Sequence, residues 1–131
     1  MATKDEEEQL TAKPKLFHVD RTALPELDAA SFKQQVLGGG AAPQVVMFGA
    51  ERCRYCKQVY PVLKNLLEGE LKGKLTGAYV DVDAQGELVE MMQLLGLPVL
   101  VVFKNGQEVA RLRGAVPEGE LKAFLQQAIG A

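Results

Sequence analysis

The hydrophobic and polar positions of this chain switch repeatedly between the spacing of strands and the spacing of helices. Continuous or alternating apolar stretches predict β-strands at residues 16–19, 44–48, 76–82, 99–103 and 107–112. Apolar residues that recur every three or four positions predict helices at residues 29–37, 53–68 and 87–95, and a last helix that begins near Pro117. Strands that alternate with helices are typical of an α/β domain.

Glycine and proline mark the boundaries between these elements. Gly38-Gly39-Gly40 ends the first helix, and Asn105-Gly106 predicts a tight hairpin turn between the last two strands. Pro61 lies inside the second helix, where it removes a backbone hydrogen bond. Residues 1–14 are charged and poor in apolar groups, so we expect a disordered acidic tail there and a single domain over residues 15–131.

The overall composition narrows the class of protein. With 47% hydrophobic and 24% charged residues, the 131-residue chain has the composition of a soluble globular domain. A formal net charge of −2 gives no reason to expect nucleic acid or an anionic membrane as a partner. No apolar stretch approaches the length of a membrane span, and the first residues have no apolar leader, so we expect a cytoplasmic protein. Nothing in the sequence requires more than a monomer.

The most informative motif is Cys53-Arg54-Tyr55-Cys56, which lies between a predicted strand and a predicted helix. Two cysteines three positions apart can close a disulfide with little backbone movement. The free N–H groups of a helix N-terminus favour a thiolate over a thiol at Cys53. This arrangement is that of a dithiol–disulfide redox centre, with Cys53 as the nucleophile and Cys56 as the cysteine that resolves the mixed disulfide.

Other interpretations of the cysteine pair are weaker. A structural zinc site usually needs four ligands, and the chain has only two cysteines and one histidine, His18, so we expect no bound metal or other cofactor. A metal or cluster shared across a dimer has no positive support. A purely structural disulfide would close too short a loop to remove much unfolded-state entropy.

The sequence resembles the thioredoxin family from about Leu16 to the C-terminus. The resemblance rests on an ordered set of matches: Val45–Phe48, Ala50-Glu51, Cys53-x-x-Cys56-Lys57, Pro61, Val80-Asp81-Val82-Asp83, Gly96-Leu97-Pro98, Phe103-Lys104-Asn105-Gly106, Gly114 and Leu121-Lys122-x-Phe124-Leu125. It implies a thioredoxin fold, in which a mixed five-stranded sheet has helices on both faces. It also implies a cis peptide bond before Pro98, beside the dithiol, with the Leu97 backbone available to an extended substrate segment.

The sequence also departs from the family at several positions. Arg52 stands where the family usually has tryptophan, and Arg54-Tyr55 replaces the common Gly-Pro. Met47 and Tyr79 align with a buried Asp–Lys pair of many thioredoxins, so the usual base for the second cysteine is missing. Glu51, bound water or a group of the substrate could take its place. Tyr55 is similar to the glutaredoxin motif, but the glutathione-binding segment expected after Pro98 is absent.

The arginines suggest a hypothesis about the redox centre. Arg52 and Arg54 flank Cys53, and positive charge there would lower the pKa of its thiol and make the disulfide more oxidising. The alternative is that both side chains point into water and contribute little. We expect substrate contacts from Arg52, Arg54, Tyr55, Leu97, Pro98, Arg113 and Gly114, with a preference for acidic segments.

The expected function is that of a protein disulfide oxidoreductase. It would reduce or exchange disulfides in partner proteins, and a thioredoxin-reductase-type enzyme would return the electrons. An oxidase or isomerase role would use the same chemistry. A thioredoxin-like binding or chaperone module, in which the cysteine pair is secondary, is the alternative from another class.

Overall fold

The structure is a computed structural model, and it describes residues 24–130 of the chain. Its elements, in chain order, are α1 (Ala29–Phe32), which continues as a π-helical segment (Lys33–Leu37), β1 (Gln44–Gly49), α2 (Cys56–Glu68), β2 (Thr76–Asp81), α3 (Gly86–Met91), β3 (Val99–Lys104), β4 (Gln107–Arg113) and α4 (Glu118–Gly130). The predicted acidic tail and the predicted strand at 16–19, which includes His18, lie outside the described residues. The α/β class expected from the pattern is confirmed.

The described part of the chain forms one mixed sheet of four strands in the order β2-β1-β3-β4. β1 runs parallel to β2 and antiparallel to β3, and β3 pairs with β4 through the predicted hairpin. Asn105 and Gly106 both have positive φ angles, 55° and 74°, as a two-residue hairpin turn requires. The prediction of five strands is corrected to four for residues 24–130, since the further strand was placed at 16–19.

Helices cover both faces of this sheet, as expected. On one face the Phe32 ring of α1 makes edge-to-face contacts with Phe48 and Phe103, with ring centroids 5.8 and 5.7 Å apart. On the other face Tyr60 of α2 packs edge-to-face on Tyr79 of β2, at 5.9 Å. Successive residues of a strand point to opposite sides of the sheet, so Met47 and Phe48 of β1 face opposite ways. Tyr79 pairs with Met47 and therefore lies on the face opposite to Phe48. The core therefore lies in two layers around β1.

The third helix is shorter than its apolar spacing predicts. α3 ends at Met91 rather than near Leu95, and Gln93 takes a left-handed φ of 51°. Leu94 turns back into the core through its N–H bond to the Val89 carbonyl, at 3.0 Å, whereas Leu95 is 68% exposed. Helical spacing continued to Leu95 in the sequence, but a chain reversal brings Leu94 inward. The segment from Gln93 to Pro98 is consequently a loop that leads into β3.

Candidate active site

The cysteine pair lies where β1 ends and α2 begins. After Gly49 the chain turns, and the Cys53 N–H donates to the Ala50 carbonyl at 3.0 Å. The predicted helix start at Cys53 was wrong, because α2 begins at Cys56. The Cys53 sulfur accepts a hydrogen bond from the Cys56 N–H, the first N–H of α2, at 3.1 Å, and Cys53 itself lies in the turn before the helix. A helix N-terminal N–H is thereby directed at the sulfur, which favours its thiolate form.

Cys53 and Cys56 are joined by a disulfide, with their Cα atoms 5.3 Å apart. Their exposure differs, since Cys53 is 8% exposed and Cys56 is fully buried. Cys56 faces the core as the first residue of the buried side of α2, whereas Cys53 lies in the turn above it. Only Cys53 is therefore reached from outside, which is the asymmetry expected of an attacking and a resolving cysteine.

Three loops meet around Cys53 and form a groove of about 410 Å³. Its lining residues are Arg52, Cys53, Arg54, Tyr55, Val82, Val89, Leu94, Gly96 and Leu97. Five of the predicted site residues are in this set. Four lining residues were missed: Val82, Val89 and Leu94, because their apolar spacing indicated only core packing, and Gly96, which has no side chain to suggest a contact. The groove is thus a mainly apolar surface that also carries two arginines, and the lining side chain of Tyr55 is 56% exposed.

Pro98 and Gly114 do not line the groove. Pro98 follows Leu97 in the chain, and Gly114 is hydrogen-bonded to Pro98. The Leu97–Pro98 peptide bond is cis, as the resemblance implied. The Pro98 carbonyl accepts the Gly114 N–H at 2.8 Å. Gly114 has a φ of 86°, in the left-handed region that favours glycine. This bond joins the start of β3 to the end of β4, and so positions the Leu97 backbone near Cys53.

The two arginines beside Cys53 have different surroundings. The Arg52 Nε lies 3.1 Å from one carboxylate oxygen of Asp83, in a pair whose side chains are 67% and 49% exposed. Its charge is therefore partly compensated, in addition to being screened by water. Arg54 is exposed at the groove. Arg113 is exposed at the end of β4 and does not line the groove.

The two positions that lack the usual charged pair are both buried. Met47 is fully buried, Tyr79 is 5% exposed, and they lie opposite each other on β1 and β2. Burial raises the pKa of the Tyr79 phenol far above its usual range, and the nearby carboxylates of Asp81, Glu26 and Glu51 raise it further. The phenol is therefore protonated at any physiological pH.

The described part of the chain, residues 24–130, lacks two kinds of feature. Within that range, no three or more histidine, cysteine, aspartate or glutamate side chains come together as possible metal ligands. None of the helices described there is both long and apolar enough to span a membrane.

Comparison with known proteins agrees with this geometry. A family model described as thioredoxin matches residues 23–127. A thioredoxin of Mycobacterium bovis is 34% identical over 84% of this chain and 93% of its own length. The chloroplastic thioredoxin X of Arabidopsis thaliana and a bifunctional thioredoxin reductase/thioredoxin of Mycobacterium leprae are each 35% identical. Those two alignments cover 78% and 79% of this chain, but only 56% and 22% of the respective relatives.

Proposed function

This chain belongs to the thioredoxin family, its described domain is a thiol–disulfide oxidoreductase domain, and we propose that it reduces disulfide bonds in partner proteins. The observation that carries the proposal is the asymmetric Cys53–Cys56 pair, with one sulfur at a groove and the other buried beneath it. An asymmetric pair separates the two thiol reactions in space, because a partner can reach only Cys53.

The proposed cycle begins with both cysteines reduced. The Cys53 thiolate attacks one sulfur of the partner's disulfide, and the other partner sulfur leaves as a thiolate that takes up a proton. A mixed disulfide now joins Cys53 to the partner. Cys56 loses its proton and attacks the Cys53 sulfur, so the Cys53–partner bond breaks and the second partner sulfur leaves and is protonated. The partner gains two electrons, and Cys53–Cys56 is left as a disulfide.

Recognition of the partner is proposed to use the groove and the Leu97 backbone. An extended segment beside Leu97 would pair with it in the manner of an added strand, while apolar side chains enter between Leu94 and Val82. Arg54, and Arg52 in part, would favour acidic side chains in that segment. Pro98 and Gly114, which do not line the groove, would hold the Leu97 backbone in place through their hydrogen bond.

The electron donor is proposed to be an enzyme of the thioredoxin-reductase type. The name of the Mycobacterium leprae relative joins a thioredoxin reductase and a thioredoxin in one chain, which supports such a pairing here. The donor would attack the Cys53–Cys56 disulfide through the same groove, since Cys53 is the accessible sulfur. The cytoplasmic location, the monomeric state and the absence of a bound cofactor stay predictions.

One observation favours a second function, that of a binding or chaperone module. Tyr55 is 56% exposed and lines a mainly apolar groove, and Leu95, which is 68% exposed, stands in the chain between the lining residues Leu94 and Gly96. Exposed apolar groups around a groove are suited to holding unfolded segments. In that case the cysteine pair would be secondary to binding.

Serine variants of the two cysteines test these functions. With a disulfide-bonded protein as substrate, we expect Cys53→Ser to lose turnover completely and Cys56→Ser to accumulate a mixed disulfide, visible as a gain in mass. The chain has no other cysteine that could substitute. Wild-type protein that neither reduces the substrate nor forms the intramolecular disulfide would contradict the enzymatic proposal. Unchanged binding of an unfolded protein by Cys53→Ser would then favour the binding module.

A further inference from the structure

A small gap lies between the resolving cysteine and a buried tyrosine, at the last residue of β1. A Cβ atom added to Gly49 would lie 3.1 Å from the Cys56 sulfur and 3.2 Å from the Tyr79 hydroxyl oxygen. The Cε2 atom of the Tyr79 ring would lie 3.1 Å from the same Cβ. Each of these distances is shorter than ordinary van der Waals contact to a real Cβ. Glycine at position 49 therefore lets the Tyr79 hydroxyl and the Cys56 sulfur border one gap.

Contacts on several sides hold the Tyr79 ring in this place. In the backbone, the Tyr79 N–H donates to the Pro25 carbonyl at 2.9 Å, and its carbonyl accepts the Leu27 N–H at 2.8 Å. The ring packs edge-to-face on Tyr60, at an interplanar angle of 83°. Tyr60 follows Cys56 by one helical turn, so both lie on the same face of α2. The Tyr79 phenol thus extends along that face of α2, towards the end of the helix that begins with Cys56.

The ionisable groups around Tyr79 determine whether its phenol acts as a hydrogen-bond donor or as a base. Asp81 on the same strand, Glu26 in the segment bridged to Tyr79, Glu51 in the loop after β1 and the Tyr60 phenol of α2 all act on Tyr79. Burial and the negative charges of the three carboxylates keep the proton on the Tyr79 oxygen, so the hydroxyl is a donor rather than a base. Cys56 is fully buried, and burial disfavours a thiolate there.

We propose that the Tyr79 hydroxyl donates a hydrogen bond to the Cys56 sulfur as that thiol loses its proton and attacks the mixed disulfide. This inference rests on the proposed function and concerns its second step. The Cys56 proton leaves to water, a bond forms between the two cysteine sulfurs, and the bond from Cys53 to the partner breaks. The departing partner thiolate takes up a proton from water, while Tyr79 keeps its own proton throughout. Tyr79 is thus a positioning residue that stabilises the attacking thiolate.

The pKa of Cys56 tests this role directly. In a Cys53→Ser background Cys56 is the only cysteine, and its pKa can be read from the ¹³Cβ shift of labelled cysteine during a pH titration. We expect Tyr79→Phe to raise that pKa by about one unit, since hydrogen bonds to charged groups are among the stronger ones. Tyr60→Phe is the matched control, because it removes a hydroxyl from the neighbouring buried ring. It should leave the pKa of Cys56 within about 0.2 units of its starting value.

The resolving step itself provides a second measurement. Reduced protein mixed with a symmetrical nitroaromatic disulfide releases one coloured thiolate when Cys53 attacks and a second, independent of reagent concentration, when Cys56 resolves. For Tyr79→Phe we expect an unchanged first phase and a second phase slowed about threefold below the pKa of Cys56. The factor is about three rather than ten because a more basic thiolate is also more nucleophilic. For the same reason the second phase should be about threefold faster above that pKa.

The outcomes separate this inference from the proposed function. Loss of the second phase in the wild-type protein would contradict the two-cysteine cycle itself. A normal second phase in the wild type together with an unshifted Cys56 pKa in Tyr79→Phe would overturn the role of Tyr79 alone. A second phase slowed equally at every pH would also overturn it, because a merely structural defect has that signature. Gly49→Ala provides an independent variant, since its methyl group enters the gap and should shift the pKa of Cys56 in the same direction.

Discussion

Arg52 donates from its Nε to both carboxylate oxygens of Asp83, at 3.2 Å from Oδ1 and 3.1 Å from Oδ2. Arg52 directly precedes Cys53, so this ion pair places a positive and a negative charge near the same sulfur. Asp83 follows β2, and the two residues meet only because β1 and β2 are parallel and end at the same edge of the sheet. The charge that the sequence sets beside Cys53 is therefore partly compensated.

Removal of the carboxylate should alter the redox centre. In Asp83→Asn the charge of Arg52 is no longer compensated, so we expect the pKa of the Cys53 thiol to fall by about 0.2–0.5 units at low salt. The reduction potential should become more positive, because the reduced thiolate is stabilised. The pH dependence of alkylation of reduced protein measures the pKa. A shift that persists undiminished in high salt would show that this exposed pair is not its source.

The groove predicts a difference between large and small substrates. Leu95 is 68% exposed between two lining residues, so Leu95→Ser should change the free energy of unfolding by less than about 0.5 kcal/mol. Loss of its apolar contact should raise KM for a disulfide-bonded protein about fivefold or more, and leave the rate with a small disulfide unchanged. Val109→Ser is the matched control, since Val109 is 38% exposed on β4 and does not line the groove. Equal effects of the two variants would rule out a specific contact at Leu95.

Two glycines with similar backbone angles should respond differently to alanine. Gly106 and Gly73 have φ angles of 74° and 79°, so each substitution should cost about 1 kcal/mol from backbone strain. At Gly106 the new Cβ would also meet the Leu37 carbonyl directly, whereas nothing lies within 4 Å at Gly73. We expect Gly106→Ala to lower the free energy of unfolding by about 2 kcal/mol more than Gly73→Ala, measured by denaturant titration. Equal losses would show that the hairpin moves away from Leu37 without a penalty.

The cap of α1 predicts a pH dependence of stability. The Asp28 side chain accepts the Ser31 N–H at 2.7 Å and the Ser31 hydroxyl at 2.9 Å. These bonds hold the pKa of Asp28 below its usual 3.8, so its carboxylate stabilises the folded state above that pH. The contribution should disappear as pH falls through the lowered pKa of the folded protein. The difference in free energy of unfolding between the wild type and Asp28→Ala should therefore be constant near neutral pH and shrink in acid.

Ser31→Ala serves as the control for this effect. It removes the hydroxyl bond but keeps the backbone N–H of residue 31, which is the larger cause of the lowered pKa of Asp28. A weakened but still visible pH dependence is therefore expected in that variant. If Asp28→Ala differs from the wild type by the same amount at all pH values, the carboxylate is not what the cap requires.

Local sequence patterns were sufficient for most of the fold within the described residues. Apolar runs located β1, β2 and β3, and the Asn105-Gly106 pair located the hairpin, because each depends on residues adjacent in the chain. The errors arose where a contact overrides the local pattern. α2 begins later than its spacing suggests because the Cys53 sulfur takes a backbone N–H. α3 ends earlier because Leu94 is drawn back into the core.

By itself, the sequence determined the redox chemistry of this protein. A pair of cysteines between an apolar strand and an amphipathic helix specifies both the reacting atoms and the N–H groups that favour a thiolate at Cys53. Tertiary structure alone decided the pairing of Arg52 with Asp83, the apolar lining of the groove and the gap shared by Tyr79 and Cys56. These contacts join residues from different strands, loops and helices, and their geometry depends on strand register and helix packing, which local spacing does not encode.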